Sequence, residues 1–395
     1  INIAYGTSSP TYTFSVTGFN PGESAANAAG YVAPTCSSSG YSATNATGST
    51  SSITCSGGSA SNYSFTTSAT ATATVTQARL TIVSDAKTVY YGDALPTLSF
   101  VVNGFVNGQS ATNAAGYVAP TCTTSPSYTR TTNAGTSISI VCSGGSATNY
   151  SFAYTPAALT ISQRTTLTIT ANSPSAITYG ASTPTNGFTT SGLAVNDVIS
   201  SATYTYAGTG STTYGPSTTA PTAVGTYSIT PSSPVFSTGS VANYATVNYV
   251  AGTLTINAAT LVITAASPAS IIYGGTKATD TFTATGLNAT DVITGLTYTY
   301  RGTGLTTYGP STTAPTAVGT YSITPSDVTF ANAGSAAGYT TISYQLGSFS
   351  ITKKALTVTP SDINIAYGTS SPTYTFSVTG FNPGESAANA AGYVC

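Results

Sequence analysis

The first 32 residues of the chain recur without a change as residues 363–394. Unrelated drift does not preserve such a stretch, so the sequence arose by tandem duplication. A repeat at a fixed period predicts an array of similar structural units, and this constrains the fold before any local pattern is considered. We expect the chain to be a window on a longer array of tandem copies.

Five copies of a Tyr-Gly pair mark the repeat. A short strand-like segment, such as Leu80-Thr81-Ile82, precedes each of the last four pairs, and an alternating segment follows each pair. Alternation of aromatic or branched residues with Ser and Thr is typical of half-buried strands. The five pairs, which we interpret as module-defining turns, are Tyr5-Gly6, Tyr91-Gly92, Tyr179-Gly180, Tyr273-Gly274 and Tyr367-Gly368.

These signals divide the chain into five predicted modules, which keep the names first to fifth below. The first two modules carry cysteines, the third and fourth do not, and the fifth is a partial copy of the first. The first module lacks its opening strand. The predicted boundaries are 1–78, 79–163, 164–257, 258–352 and 353–395.

Short strands separated by turn signals predict an all-β fold, in which each module is a small Ig-like β-sandwich. Ala-rich segments at 24–30 and 110–116 each begin with a Ser that could cap one or two helical turns. They leave a β-grasp-like sheet as the alternative. Linkers such as 162–166 are too short for a flexible coil, so we expect the tandem modules to form an elongated rod.

The composition excludes several functions. Charged residues make up 4% of the chain, with a net charge of −1 and no histidine. Nucleic-acid binding requires Lys and Arg to neutralise phosphates, so we predict no nucleic-acid partner. Without the commonest general base, and with nine carboxylates spread over five modules, we predict no enzyme, no cofactor and no metal. No run of 18 or more apolar residues is present, so no membrane-spanning segment is predicted.

Four cysteines form two equivalent pairs. Cys36 and Cys55 lie 19 positions apart, and Cys122 and Cys142 lie 20 apart. Neither pair has the spacing of a zinc site. We therefore predict two disulfides within modules and an oxidising, extracellular location. Cys395 stands where the first module has Ala33, and we interpret it as a feature of the end of this window.

Two aspartates occupy equivalent places in the third and fourth modules. Ca²⁺ takes six to eight oxygen ligands, usually several carboxylates, and neither Asp197 nor Asp291 has a second acid nearby. We predict that they stabilise turns or cap helices.

Tyrosines spaced two apart, as at Tyr204 and Tyr206 or Tyr298 and Tyr300, point to one side of a strand. They could form a glycan-binding face, but we favour core packing.

The whole pattern resembles the MBG domains of Tyr-Gly type, which occur in large bacterial surface proteins. In the fourth module the resemblance rests on residues 261–263, Tyr273-Gly274, Gly286-Leu287, Asp291 and the run 318–323. The third module matches equally well. The first two depart from the pattern, because Ser51 and Ser137 stand where the aromatic of Gly-Thr-Tyr belongs. The resemblance implies a secreted adhesin or surface stalk and no catalytic residues.

We therefore predict a structural stalk of repeated domains in a giant bacterial cell-surface adhesin or extracellular filament that projects a distal binding region. A self-assembling fibre or sheath is the first alternative, because a net charge near zero lets rods associate laterally. A glycan-binding repeat module is the second. The expected partners are neighbouring repeats of the same chain, laterally associated copies, and an unknown surface or glycan ligand at a distal tip.

Overall fold

The computed structural model describes residues 1–66 and 70–394, which form short β-strands joined by turns. The prediction of an all-β fold is confirmed. Cys395 lies outside the described residues. Two compact units are present, and the division between them runs through the third module. The first contains residues 1–169, 190–202 and 233–248, and the second contains 170–189, 203–232 and the chain from 249 onward.

The first module forms one four-stranded sheet, in the order β1-β4-β3-β2. Its short first strand, which leads into Tyr5-Gly6, runs parallel to the last strand of the module. The other two pairings are antiparallel. The strands are β1 (Asn2–Ala4), β2 (Thr35–Ser38), β3 (Thr50–Ser56) and β4 (Ala71–Thr76).

The second module forms two sheets that pack on each other. Its seven strands are β5 (Ala78–Ser84), β6 (Lys87–Tyr90), β7 (Phe100–Asn103), β8 (Thr121–Ser125), β9 (Ile138–Ser143), β10 (Tyr150–Thr155) and β11 (Ala157–Ser162). The sheet β6-β11-β9-β8 repeats the arrangement of the first module, and β10-β5-β7 is added to it. Leu80 and Ile82 of β5 share a buried cluster with Cys142 of β9. This is a small β-sandwich.

The third and fourth modules repeat the three-stranded and four-stranded sheets with a longer hairpin. The strands of the third are β12 (Arg164–Ala171), β13 (Ile177–Thr178), β14 (Phe188–Ser191), β15 (Val198–Gly208), β16 (Gly225–Thr238), β17 (Tyr244–Val250) and β18 (Gly252–Asn257). Those of the fourth are β19 (Ala259–Ala265), β20 (Ile271–Ile272), β21 (Phe282–Thr285), β22 (Ile293–Gly302), β23 (Gly319–Phe330), β24 (Tyr339–Gln345) and β25 (Gly347–Thr352). Their sheets are β14-β12-β17 with β13-β18-β16-β15, and β21-β19-β24 with β20-β25-β23-β22.

The core follows from the alternating pattern of the opening strands. β5, β12 and β19 each lie in the middle of a three-stranded sheet, and their Leu and Ile side chains are fully buried. In the fourth module Leu261 and Ile263 have no exposed surface and pack against Val328 and Phe330 of the long hairpin. Val328 and Phe330 lie in the carboxyl-terminal half of β23. The amino-terminal half of the same strand buries Tyr321 and Ile323 against β25. The hairpin thus joins two small cores.

The structure corrects two details of the sequence analysis. The Ala-rich segments are single turns, as the capping Ser predicted: Ala28 N donates to Ser24 O, and Ser24 Oγ accepts from Ala26 N. No α-helix occurs in the described part of the chain, and the two sheets of the second module pack on each other. The β-grasp alternative is therefore wrong. In the described part of the chain, helical structure is limited to two 3₁₀ segments, Val241–Asn243 and Ala333–Gly338. Ile138, not Ser137, takes the aromatic position in the second module: it pairs with Leu159 as Tyr227 pairs with Leu254.

The duplicated ends show how strongly these strands depend on their partners. In the fifth module, β26 (Thr357–Pro360) pairs with β27 (Phe376–Thr379). The same four residues at 14–17 form no strand in the first module, where no described segment corresponds to β26. Conversely, the sequence of β1 forms no strand at 364–366, and the described residues contain no counterpart of β4 for it to pair with.

We expect Leu261→Ala to lower the free energy of unfolding by about 2–5 kcal/mol, because it leaves a cavity in a closely packed core. Val292→Ala, which alters a side chain that is 58% exposed, is the matched control. It should change stability by less than about 0.5 kcal/mol. Urea unfolding of both variants tests this, and equal losses would contradict the assigned core.

Candidate functional site

Each Tyr-Gly pair forms a turn, and in the first four modules this turn ends the short parallel strand. The glycines have φ angles between +83° and +88°. This left-handed region is open to glycine and costs other residues free energy. The turn therefore explains a glycine, but it does not explain the tyrosine.

A second reason for the glycine lies in the following module. A Cβ atom on Gly92 would lie 2.8 Å from Ala194 Cβ, and one on Gly180 would lie 3.1 Å from the side chain of Asn288. Gly6 and Gly274 approach the side chains of Val106 and Asn382 more closely still. Each of these four partners stands two positions after the glycine of a Gly-apolar turn, the name we give to Gly18-Phe19, Gly104-Phe105, Gly192-Leu193, Gly286-Leu287 and Gly380-Phe381. The Tyr-Gly turn is thus a contact between modules.

In the first unit, the tyrosine of this turn inserts into the third module. Tyr91 is 1% exposed and donates a hydrogen bond from its hydroxyl to Asp197 Oδ1 at 2.6 Å. Tyr244 donates to the other oxygen, Oδ2, also at 2.6 Å. Asp197 is itself 5% exposed. A buried carboxylate is costly unless it is hydrogen-bonded, and here both oxygens have a partner.

The second unit repeats this arrangement between the third and fourth modules. Tyr339 donates to Asp291 Oδ2 at 2.7 Å, and Ser335 Oγ donates to Oδ1 at 2.7 Å. Tyr179, from the preceding turn, donates to the same carboxylate at 3.2 Å. The rings of Tyr179 and Tyr339 meet edge to face, with centroids 5.6 Å apart. Such pairs add stabilisation beyond the buried area.

The remaining two junctions vary the acceptor. Between the fourth and fifth modules, Tyr273 donates to Glu385 Oε1 at 2.6 Å. Between the first and second modules the acceptor is the neutral Gln109, whose Oε1 receives the Tyr150 hydroxyl at 2.6 Å. There Tyr5 contributes its ring, which packs edge to face on Tyr150 at 5.6 Å.

A second set of contacts surrounds each of the first two junctions. The Thr47 amide donates to Asn149 Oδ1 at 2.9 Å, and the Ala134 amide donates to Asn243 Oδ1 at 3.0 Å. These asparagines directly precede Tyr150 and Tyr244. An Asn-Tyr pair in one module therefore receives both the Tyr-Gly turn and a neighbouring loop of the module before it.

Burial and the carboxylates affect the acidity of the junction tyrosines. Burial, followed by the hydrogen bond to Asp197, raises the pKa of Tyr91 to about 12. Burial and Asp291 likewise raise the pKa of Tyr339 to about 12. The pKa of Tyr244 is also raised, mainly by burial. All three hydroxyls consequently remain protonated donors at neutral pH.

The other predicted residues have clear places. Cys36 is bonded to Cys55 and Cys122 to Cys142, each pair being partners on adjacent antiparallel strands. Tyr206 and Tyr300 are buried in cores, with Tyr204 and Tyr298 packed beside them.

Among the described residues, no group of three or more His, Cys, Asp or Glu side chains could hold a metal ion. No helix in that part of the chain is long and apolar enough to cross a membrane.

The role of the two aspartates differs from the one predicted from the sequence. The Asp197 and Asp291 amides do close turns, but the side chains accept tyrosine hydroxyls between modules. A signal was available, because an acid or Gln stands five positions after the glycine of every Gly-apolar turn. These residues are Glu23, Gln109, Asp197, Asp291 and Glu385.

The fold and junctions define a tandem β-sandwich repeat protein whose modules contact each other through one recurring turn. Two regions, 80–160 and 167–255, match the MBG domain (YGX type). The resemblance seen in the sequence is therefore confirmed, and these two regions are tandem MBG domains.

Comparison with other proteins adds little beyond this family. No curated protein matches the chain. Among solved structures, one titled "Structural basis for Dscam isoform specificity" has 10% identity and a TM-score of 0.19, and covers 78% of this chain and 80% of its own. The four amino-terminal Ig domains of Dscam1 isoform 1.9 have 9% identity and a TM-score of 0.18, with the same coverage. Likenesses at these TM-scores carry no argument about this chain.

Gly92→Ala and Gly368→Ala separate the two roles of the glycine. Both residues have φ near +85°, at +84° and +88°, but only Gly92 has a neighbour where the Cβ would lie. Both changes should cost about 1–2 kcal/mol for the left-handed backbone. Gly92→Ala should lose about 1–3 kcal/mol more through overpacking against Ala194. Thermal unfolding measures the difference, and equal losses would refute the steric role.

We also expect the protein to lose stability in alkali. Tyrosine titrates near pH 10 in an unfolded chain. Since the pKa values of Tyr91 and Tyr339 are raised to about 12 in the folded protein, their contribution to stability is complete below pH 10 and is lost as the pH rises through 12. Urea unfolding at intervals from about pH 9 to 12 tests this. Tyr91→Phe should have a shallower pH dependence, and an unchanged slope would contradict the assignment.

Proposed function

We propose that the chain is a non-catalytic structural repeat in the stalk of a bacterial cell-surface adhesin or extracellular filament. The observation that carries this proposal is the recurrence of one junction. Four Tyr-Gly turns each contact the following module through equivalent residues, two in each compact unit. A chain that repeats the same contact between successive modules is suited to carry a mechanical load from one module to the next.

The junctions have a direction, and this supports a projecting role. Each complete module presents a Tyr-Gly turn to its successor and an acid or Gln beside an aromatic cluster to its predecessor. The two surfaces differ, so addition is heterologous and continues along the array. In the proposed stalk, stacking of this kind holds a distal binding region away from the cell. The predicted module boundaries form part of this proposal.

Composition and disulfides support an extracellular setting. Both disulfides fit an oxidising compartment. With only eight Lys and Arg residues in the chain, trypsin-like proteases have few sites. The junctions rely on buried hydroxyls and carboxylates, which salt screens less than surface ion pairs. These properties suit a protein that is exposed to oxidants, proteases and changing salt concentrations outside the cell.

Of the two alternatives, the self-assembling fibre has the better support. β15 is an 11-residue strand at the edge of its sheet and contains no charged residue or proline; Tyr206, near its end, already pairs with Ser217. Uncharged edges are prone to pair with other chains. The glycan-binding alternative has less support, because the paired tyrosines expected to form its surface pack in the cores.

Single-molecule pulling of the full chain tests the stalk proposal. We expect separate unfolding events, each releasing roughly 300 Å of chain for a module of about 90 residues. The disulfides, which span 19 and 20 positions, should shorten the release from the first two modules. Reduction should lengthen it by roughly 70 Å. A single event without mechanical resistance would contradict the proposal, and lateral bundles in place of single chains would favour the fibre.

A further inference from the structure

The loop closed by each disulfide holds the Tyr-Gly turn of its own module. In the first module the loop lies between Cys36 and Cys55, and its Tyr41 donates a hydrogen bond to Thr7 O at 2.6 Å. In the second, Tyr128 donates to Asp93 O at 2.7 Å. Thr7 and Asp93 directly follow the two Tyr-Gly pairs. The loop therefore fixes the position of the turn.

The same loops also contact the next module directly. The first loop donates its Thr47 amide to Asn149, and its Ala43 carbonyl accepts from Asn107 Nδ2 at 3.0 Å. The second loop donates its Ala134 amide to Asn243, whose own amide group returns a bond to Asn133 Oδ1 at 3.0 Å. Each loop thus contacts both partners of its junction: the Tyr-Gly turn of its own module and an asparagine of the next module.

The strands at the base of these loops are short. β2 has four residues and β8 has five, and both lie at the edge of a sheet. Short edge strands belong to the least stable parts of a fold. The corresponding strands of the cysteine-free modules, β15 and β22, have 11 and 10 residues. A disulfide is therefore present where the ladder of hydrogen bonds is short and absent where it is long.

We propose that the two disulfides act as redox-sensitive locks on the first and second junctions. Reduction by a dithiol, which supplies two electrons and two protons and becomes a disulfide itself, converts each bond to two thiols. The short edge strand then opens more often, and the loop releases both the Tyr-Gly turn and the Asn of the next module. This inference rests on the proposed stacking function. The Cys36–Cys55 bond should be reduced first, because Cys142 of the other bond is buried.

Amide hydrogen exchange in the full chain tests the locks. The Thr47 amide reports on the first junction and the Ala134 amide on the second, since each donates across its junction. The variants are Cys36→Val/Cys55→Val and Cys122→Val/Cys142→Val, which keep apolar cross-strand pairs. The first should speed exchange at Thr47 by about tenfold or more and leave Ala134 unchanged, and the second should do the reverse. Each variant is therefore the control for the other.

The outcomes separate this inference from the proposed function. Amides in β4 of the first module and β11 of the second should stay protected in both variants, which shows that the two modules remain folded. If Thr47 and Ala134 are unprotected in the oxidised wild-type chain, the junctions are open and the stacking function fails. If both are protected and neither responds to its own disulfide, only the redox lock is refuted. Should a variant not fold, stepwise reduction of the wild-type chain with dithiothreitol gives the same comparison.

Discussion

The contact on which this structure depends is the insertion of a tyrosine from one module into the next, followed at once by a glycine that lets the two modules approach. At the second and third junctions the hydroxyl meets a carboxylate that also serves the tyrosine of the receiving module. Burying a lone carboxylate would be unfavourable, but two hydroxyl donors compensate for the lost water. The chain has only nine carboxylates, and three of them, Asp197, Asp291 and Glu385, accept tyrosine hydroxyls at junctions between modules.

The two kinds of module stabilise this junction differently. Where the supporting hairpin is long, as in β22 and β23, backbone hydrogen bonds hold it. Where the hairpin is short, a disulfide joins register partners at its base. Both devices restrict the freedom of the loop beside the Tyr-Gly turn, one through many weak bonds and one through a covalent bond. The two kinds of module therefore meet the same structural requirement in different ways.

The duplicated 32 residues show how much the surroundings decide. Tyr5 is 5% exposed where the second module covers it, whereas the identical Tyr367 is fully exposed. Phe376 lies in β27 because β26 is beside it, but Phe14 lies in no strand. A strand of this kind is stabilised by its neighbours and not by its own propensity. The local sequence alone could not distinguish these states.

The sequence by itself determined the all-β class, the tandem modules, the disulfide pairs and the MBG resemblance, because alternation, spacing and repetition are local or periodic signals. Only the tertiary structure decided that the module-defining Tyr-Gly pair serves the next module, and that Asp197 accepts hydroxyls from two different modules. Those partners lie 47 and 106 positions from Asp197. No local pattern encodes a contact across such a separation; it exists only once the sheets have folded and the modules have stacked.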